Sequence, residues 1–378
     1  MGIILEYIWL DGYAKAKANE VANLRSKIKV ISENDFSKLY TKTNNEKDLI
    51  AISVLEQMKQ RLLGEINPSW FPQWSFDGSS TMQAEGKKSD CVLNPVYACY
   101  NTIDKYDENN ISLFVLCEVL NPDGTPHETN TRSNLIKISE KYKNQDMWFA
   151  FEQEYALFDA SGTWPHAWPS KGFPSPQGRY YCGVGADVSF GRNVMSSHLN
   201  HSLQSGLPIS GTNAEVMPSQ WEFQIGPNIA PIIADQMWMS RYILNRVAEK
   251  EGVTVKLSPK PVSGDWNGTG CHVNFSNKYM RNSITQTDID KISNALEKSH
   301  KEHLDVYGEG NEKRLTGNHE TCSIHEFRIG ESDRGASIRI PPGVLQSGKG
   351  YLEDRRPAAN IDPYEVCSVL LETVCSLY

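Results

Sequence analysis

Glu152 and Glu154 stand two apart in Phe151-Glu-Gln-Glu-Tyr155, inside an apolar run that reads as a strand over 147–158. Side chains two apart on a strand share a face, so both carboxylates point one way and Phe151, Gln153 and Tyr155 the other. Neighbouring carboxylates repel unless a positive charge lies between them, and a divalent cation is the usual one. Alone, the segment reads equally well as an edge strand with two solvated glutamates. Other segments supply matching groups. Glu215 and Glu222 flank a Pro-directed turn within 213–226, and His272, Asn274 and Ser276 share one face of Cys271–Ser276, with Val273 and Phe275 opposite. Glu353 and Arg355 fall together in 350–357. Oxygen ligands with a single imidazole suit Mg2+ or Mn2+ rather than zinc, although a lone His on a strand is more often a satisfied structural residue.

Arginines gather late in the chain, at 314, 328, 334, 339, 355 and 356. Their planar, permanently charged fork matches carboxylates and phosphates, against the plainer reading of a solvated face. Arg339 alternates with Ile338 and Ile340, which turns it away from the apolar side. The stretch Gly183-Val-Gly-Ala-Asp187 lacks the Lys-Ser/Thr ending of a phosphate-binding loop. Phosphate binding would therefore rest on metals and arginines.

The elements that must hold these groups are legible in outline. Residues 4–10 form a short strand ending in the turn Asp11-Gly12. Ile50, Val54, Met58 and Leu62 recur at helical spacing and predict a helix over 48–63, closed by Gly64 and Pro68. Strand-like runs lie around Val92 and over 111–119, and Asn121-Pro-Asp-Gly124 is a strong turn and a domain edge. Helices follow over 130–142, 193–205, 232–252 and 286–307, with strands at 253–257, 271–276 and 336–341. The Pro-, Gly- and Trp-rich stretch 159–182 reads as a structured loop. The fold class is α+β, with an N-terminal domain over 1–125 carrying a helical insertion at about 13–70, and a catalytic domain over 126–378 built on an antiparallel sheet.

Composition narrows the function. The chain has 378 residues, 39% hydrophobic and 22% charged, which allows a packed core. A formal charge of −8 argues against a nucleic-acid partner. No apolar run reaches the roughly 20 residues of a membrane helix. Eight cysteines without a CxxC pair fit neither a disulfide scaffold nor a zinc site, and the chain reads as cytoplasmic.

Taken together, the motifs Phe76-Asp-Gly-Ser-Ser-Thr81, Glu152-Gln-Glu-Tyr155, Tyr180-Tyr-Cys-Gly-Val-Gly-Ala-Asp187 and Gly211-Thr-Asn-Ala-Glu-Val-Met-Pro218 resemble glutamine synthetase in its shorter, eukaryotic-type form. So do Gln220-Trp-Glu-Phe-Gln-Ile-Gly-Pro227, Trp266-Asn-Gly-Thr-Gly-Cys-His272, Arg314-Leu-Thr-Gly317, His319-Glu-Thr321 and Glu353-Asp-Arg-Arg-Pro357, in the same order. The resemblance runs from about residue 3 to the end, outside roughly 13–70. That segment is about twice the family length.

The resemblance implies a β-grasp-like N-terminal domain and a homo-oligomer of pentameric rings, stacked as a decamer, with active sites shared between subunits. It implies ligation of ammonia to the γ-carboxylate of L-glutamate with ATP, through γ-glutamyl phosphate. One metal ion, Mg2+ or Mn2+, would take Glu154, Glu215 and Glu222, and a second Glu152, His272 and Glu353. ATP would lie near Glu152, Glu222, Asn274, Phe275, Ser276, Arg334, Arg339 and Tyr351. Glutamate would lie near Asp265, Trp266, Asn267, Gly268, Arg314, Arg334 and Arg355. Asp77 would bind ammonium across the subunit boundary, Glu320 would sit on a closing flap, and Arg334 and Arg339 would neutralise the transferring phosphoryl group. A relative that uses an organic amine, or one that has lost catalysis, would share most of these motifs. The retained Asp77 disfavours the first and the complete ligand set the second.

Overall fold

The computed structural model describes residues 2–17, 21–104, 106 and 110–378. It divides into two compact units, Met1–Ser133 with His201–Leu207, and Asn134–Asn200 with Pro208–Tyr378.

The first unit is a five-stranded mixed sheet carrying two helices. Its strands are β1 (Gly2–Leu10), β2 (Leu24–Ser32), β3 (Trp74–Asp77), β4 (Asp90–Tyr100) and β5 (Ile111–Leu120), in the order β2-β1-β5-β4-β3. β1 and β5 run parallel at its centre, and the other pairs are antiparallel. A central position explains why β1 is apolar almost throughout, with both faces buried. Asp11, at its end, stitches the β1–β2 connection by accepting hydrogen bonds from the backbone and side chain of Asn23 and from Arg25.

Between β2 and β3 lie α1 (Glu33–Asn44) and α2 (Asp48–Lys59). The 13–70 segment is thus not simply helical, since it also contains the nine-residue strand β2, paired with β1 along its full length. The stripe read from the sequence is corrected too. Ala51, Val54, Leu55 and Met58 are buried with Ile3, Leu5 and Phe36, whereas Ile50 and Leu62 are exposed. Steps of four overshoot a helical turn by about 40° each, so a run of them drifts off the buried face. The i, i+3, i+4, i+7 set keeps to it.

The second unit is built on an eight-stranded sheet. Its elements are most of α3 (Arg132–Lys141), β6 (Trp148–Asp159), most of α4 (Arg192–Gln204), β7 (Ile209–Ala214), β8 (Gln220–Ile229), α5 (Ile232–Glu251), β9 (Val253–Lys256) and β10 (Cys271–Ser276). They are followed by α6 (Lys278–Asn282), α7 (Gln286–Lys298), α8 (His300–Leu304), β11 (Ile329–Glu331), β12 (Ile338–Ile340), α9 (Val344–Ser347), β13 (Leu352–Asp354) and α10 (Pro363–Cys375). The strand order is β11-β12-β13-β10-β6-β8-β7, with β9 also on β6. Every pairing is antiparallel except β11 with β12. α5 is buried over most of its length and ends at Gly252 in the left-handed region. The single helix expected over 286–307 is broken at Ser299 into α7 and α8.

Candidate functional site

The sheet register gathers the chemistry. On β6, Glu152 faces His272 of β10 on one side and Gln224 of β8 on the other, and Glu154 faces Glu222 of β8. On the far side of β10, Asn274 faces Glu353 of β13, which in turn faces Arg339 of β12. Five adjacent strands therefore deliver one row of charged side chains to one face. Phe151, Gln153 and Tyr155 are fully buried on the other, as alternation required.

Glu353 is almost completely buried and accepts from Arg355 Nη1 and Arg339 Nη1, each at 2.6 Å. His272 Nδ1 lies 3.5 Å from Glu152 and 3.6 Å from Glu353 and has no hydrogen-bond partner. Its Nε2 meets Arg314 Nη2 at 3.2 Å. Burial, then the charge of Arg355, holds this imidazole neutral, well below its ordinary range. Asn274 Nδ2 donates to Glu152 at 2.7 Å.

The other carboxylates have weaker company. Glu154 accepts from the Gly270 amide at 2.8 Å and from Gln220 Nε2 at 2.9 Å. Glu215 accepts from Asn213 Nδ2 and the Val216 amide, and Glu222 from Gln224 Nε2. Burial and then the neighbouring glutamates push Glu215 up to about 8 and Glu222 up to about 9. Such upward shifts mark carboxyls that burial, and then like-charged neighbours, hold toward the neutral form until a positive charge arrives.

Among the described residues, two groupings place ligand atoms within 4.8 Å of one another: Glu152, His272 and Glu353, and Glu154, Glu222 and His272. The first is the trio expected for one ion. In the second, His272 stands where Glu215 was expected, although Glu215 lines the same pocket. Buried oxygens, an orphaned imidazole nitrogen and unneutralised carboxylates are a donor set that fits hard divalent cations.

The pocket encloses about 300 Å³ and is lined by Glu152, Glu154, Glu215, Glu222 and Glu320 together with Arg314, Arg334, Arg339 and Arg355. Arg314 threads past Gly268 and Gly270, where an added Cβ would come within 2.9 Å and 2.5 Å of its side chain. That close approach explains both glycines. Asn267 and Gly268 line the pocket, whereas Asp265 is exposed and Trp266 is buried against Trp168.

At Glu152 and Gln224 the pocket meets a groove of about 740 Å³. Asn274, Phe275, Ser276 and Tyr351 line it, with Trp148, Arg281 and Ser347, and its walls are largely apolar. Asp77 belongs to the first unit, at the end of β3. Hydrogen bonds from Ser79, Ser80 and Ser89 hold its exposed carboxyl down at about 2.

Sequence reasoning missed several lining residues. Gln224, which lines the pocket, and Gln220, which donates to Glu154, share a strand face with Glu222, so the same alternation pointed to them. Asn213 donates to Glu215 two positions on, a local sign that went unread, whereas Tyr181 lies outside any regular element and Arg281 in a short helix, where strand alternation gives no sign.

The glutamine synthetase catalytic domain family matches residues 128–299. The chain is 45% identical over 373 residues to a glutamine synthetase of Candida glabrata, covering 99% of this chain and 89% of that one. The chain belongs to the glutamine synthetase family. A glutamine synthetase of Streptomyces viridochromogenes is 47% identical over 374 residues, 98% of this chain and 96% of the relative. A chloroplastic glutamine synthetase of Chlamydomonas reinhardtii is 45% identical over 378 residues, 99% and 90% respectively.

Proposed function

We infer that this protein is a glutamate–ammonia ligase, joining ammonia to the γ-carboxylate of L-glutamate and cleaving ATP to ADP and phosphate. The observation that carries the reading is the junction at Glu152. There a pocket of five glutamates and four arginines opens into an apolar groove, in a chain similar almost end to end to glutamine synthetases.

A carboxylate is a poor electrophile, so the γ-carboxylate first takes the terminal phosphoryl group of ATP and ammonia then displaces phosphate from the acyl phosphate. Glu152, His272 and Glu353 would hold one divalent cation, and Glu154, Glu215 and Glu222 the other. Bound Mg2+ or Mn2+ would supply Lewis-acid polarisation of the phosphate oxygens and a template for in-line transfer. The chain's own part is positioning. Arg334 and Arg339 would meet charge on the transferring phosphoryl group, where fixed donors are worth most. Arg314 and Arg355 would grip the glutamate carboxylates beside Asn267 and Gly268, with Asp265 and Trp266 shaping the loop. Asn274, Phe275, Ser276 and Tyr351 would hold the nucleotide in the groove. Glu320 would close over the acyl phosphate and exclude water. Asp77, from a neighbouring copy, would take ammonium and help remove its proton, which requires a homo-oligomer. Pentameric rings stacked as a decamer are the proposed assembly, with residues 1–125 and 126–378 as its two domains. Among the described residues no helix is long and apolar enough to cross a membrane, and a cytoplasmic site of action is the proposal.

The test is ATP turnover with Mg2+ and glutamate against a panel of ammonium, methylamine and ethanolamine, with mass measurement of the assembly. Glutamine and phosphate formed in equal amounts with ammonium is the expected result. Preference for an organic amine would overturn the choice of ammonia, and no phosphate release from folded oligomer would overturn the ligase.

A further inference from the structure

Gln177 sits in the long irregular loop between β6 and α4, half-buried among mostly exposed neighbours. Both ends of its amide are engaged by one residue 90 positions away. Its Oε1 accepts from the Asn267 amide at 2.9 Å, and its Nε2 donates to Asn267 Oδ1 at 2.8 Å. Two opposed hydrogen bonds fix Asn267 in both backbone and side chain. With Oδ1 taken, the Asn267 carboxamide is left with its Nδ2 donors for an acceptor such as a carboxylate.

The same Nε2 lies 3.4 Å from His319 Nδ1. An amide nitrogen can only donate, so Nδ1 accepts and the imidazole proton sits on Nε2. That nitrogen lies 3.0 Å from Asp265 Oδ1, the acceptor this tautomer requires. His319 and Glu320 are consecutive non-glycine residues in the left-handed region, at φ 52° and 60°. L-residues seldom hold that conformation unless their surroundings fix it. Glu320 and Thr321, next along the chain, line the carboxylate pocket.

We propose that Gln177 is a positioning residue that braces the amino-acid loop at Asn267 to the His319–Glu320 segment, so that one side chain sets both the grip on the amino-acid substrate and the closure that keeps water from its activated form. The proposal rests on the ligase reading given above and adds a residue to it. Without the brace, the Glu320 segment loses a contact that holds its strained backbone, and Asn267 loses its fixed orientation. Water then reaches the acyl phosphate: its oxygen bonds to the carbonyl carbon, the C–O bond to phosphate breaks, the water's protons pass to the leaving phosphate and to solvent, and glutamate and orthophosphate are returned.

The test is Gln177→Met, which keeps length and loses both hydrogen-bonding ends, beside His319→Gln. KM for glutamate is expected to rise about tenfold or more in Gln177→Met, because displacing a positioning group costs rate and binding out of proportion to its size. KM for ATP and the melting temperature stay at wild-type values, and phosphate released exceeds glutamine formed in both variants. Backbone amide exchange over residues 317–321 is faster in Gln177→Met whether or not the protein turns over. Equal phosphate and glutamine with an unchanged KM for glutamate would overturn the brace, as would unchanged exchange. So would a parallel rise in both KM values with a fallen melting temperature, the mark of a merely structural role. A wild-type protein that makes no glutamine fails the ligase reading instead, and the exchange measurement then decides the brace by itself.

Discussion

Glu353 and Asp354 are consecutive on β13 and turn to opposite faces of the sheet, into two buried charged regions that obey different rules. Behind the sheet, Asp354 accepts from Arg356 Nε at 2.9 Å, from Arg356 Nη2 at 2.6 Å and from the Tyr307 hydroxyl at 2.7 Å. His303 Nδ1 lies 3.0 Å from that hydroxyl, and His300 Nδ1 lies 3.0 Å from Arg356 Nη1. Burial alone would raise the Asp354 carboxyl, yet the charge and hydrogen bonds of Arg356, with Tyr307, bring it below the ordinary carboxylate range. Its oxygens are matched by donors. In front, only Glu353 is matched in this way. Glu215 and Glu222 have amide donors and one another, and are pushed up to about 8 and 9. A compensated buried network is architecture, and one left short of positive charge is a site that waits for it.

Breaking each region should therefore have opposite consequences for stability. Asp354→Ala strands the Arg356 guanidinium in the interior and is expected to cost about 3–5 kcal/mol, as removal of one partner of a buried ion pair does. Glu222→Gln removes one of several crowded carboxylates. The metal-free variant should be at least as stable as the wild type, while Mn2+ binding followed by electron paramagnetic resonance falls sharply. Thermal unfolding with and without Mn2+ reads both. A Glu222→Gln protein that melts early without metal would mean that the front region is compensated after all.

A second contrast lies within the front region, where Glu152 and Glu154 are two residues apart yet belong to different groupings. Glu152 borders both the apolar groove and the pocket, and Glu154 the pocket alone. Glu152→Ala is expected to weaken ATP binding about tenfold or more, a loss of roughly 1.4 kcal/mol, and Glu154→Ala to weaken glutamate binding by a similar factor. Separate titrations of the two substrates decide it. Equal losses for both substrates in both variants would leave the enzyme class standing and remove the division of labour.

How much of this the residues announced depended on whether the signal was local. The front region was legible because period-2 alternation is short-range: Glu152 with Glu154, and His272 with Asn274, share faces on any strand. The back region was not, because Asp354 meets Tyr307, and Arg356 meets His300, through chain reversals that no spacing encodes. β2 was lost for another reason. Its Lys27 and Lys29 lie over the Trp74 ring at 3.5 and 4.7 Å, while Ile28 and Val30 face solvent. The aliphatic stems of the lysines cover apolar surface there, inverting the expected pattern. α1 carried a usable sign in Ser32, whose hydroxyl caps the Asp35 amide, and in Phe36 and Tyr40 one turn apart. Gln177 carried none, since its chemistry exists only once residues 90 and 142 positions away are brought to it.

The two regions should also titrate with opposite sign. Burial, and then the charge of Arg356, pull His303 down to about 3, and burial lowers His300 as well. In the unfolded chain these imidazoles take up protons near 6.5. For His303, between that value and about 3 the unfolded state binds more protons than the folded one, so stability is lost as pH falls, by about 1 kcal/mol per pH unit below 6.5; His300 acts in the same direction. Glu215 and Glu222 do the reverse. Their folded values lie above the ordinary carboxylate range, so the metal-free protein binds the extra protons and loses stability as pH rises toward 8 and 9. A divalent cation needs those carboxylates ionised, so it should abolish the alkaline loss and leave the acid loss untouched. Thermal unfolding from pH 5 to 9, with and without Mg2+, measures both limbs. His303→Gln, which cannot titrate, should flatten only the acid limb. A cation that shifted both limbs equally would mean that the front and back of the sheet are not electrostatically separate.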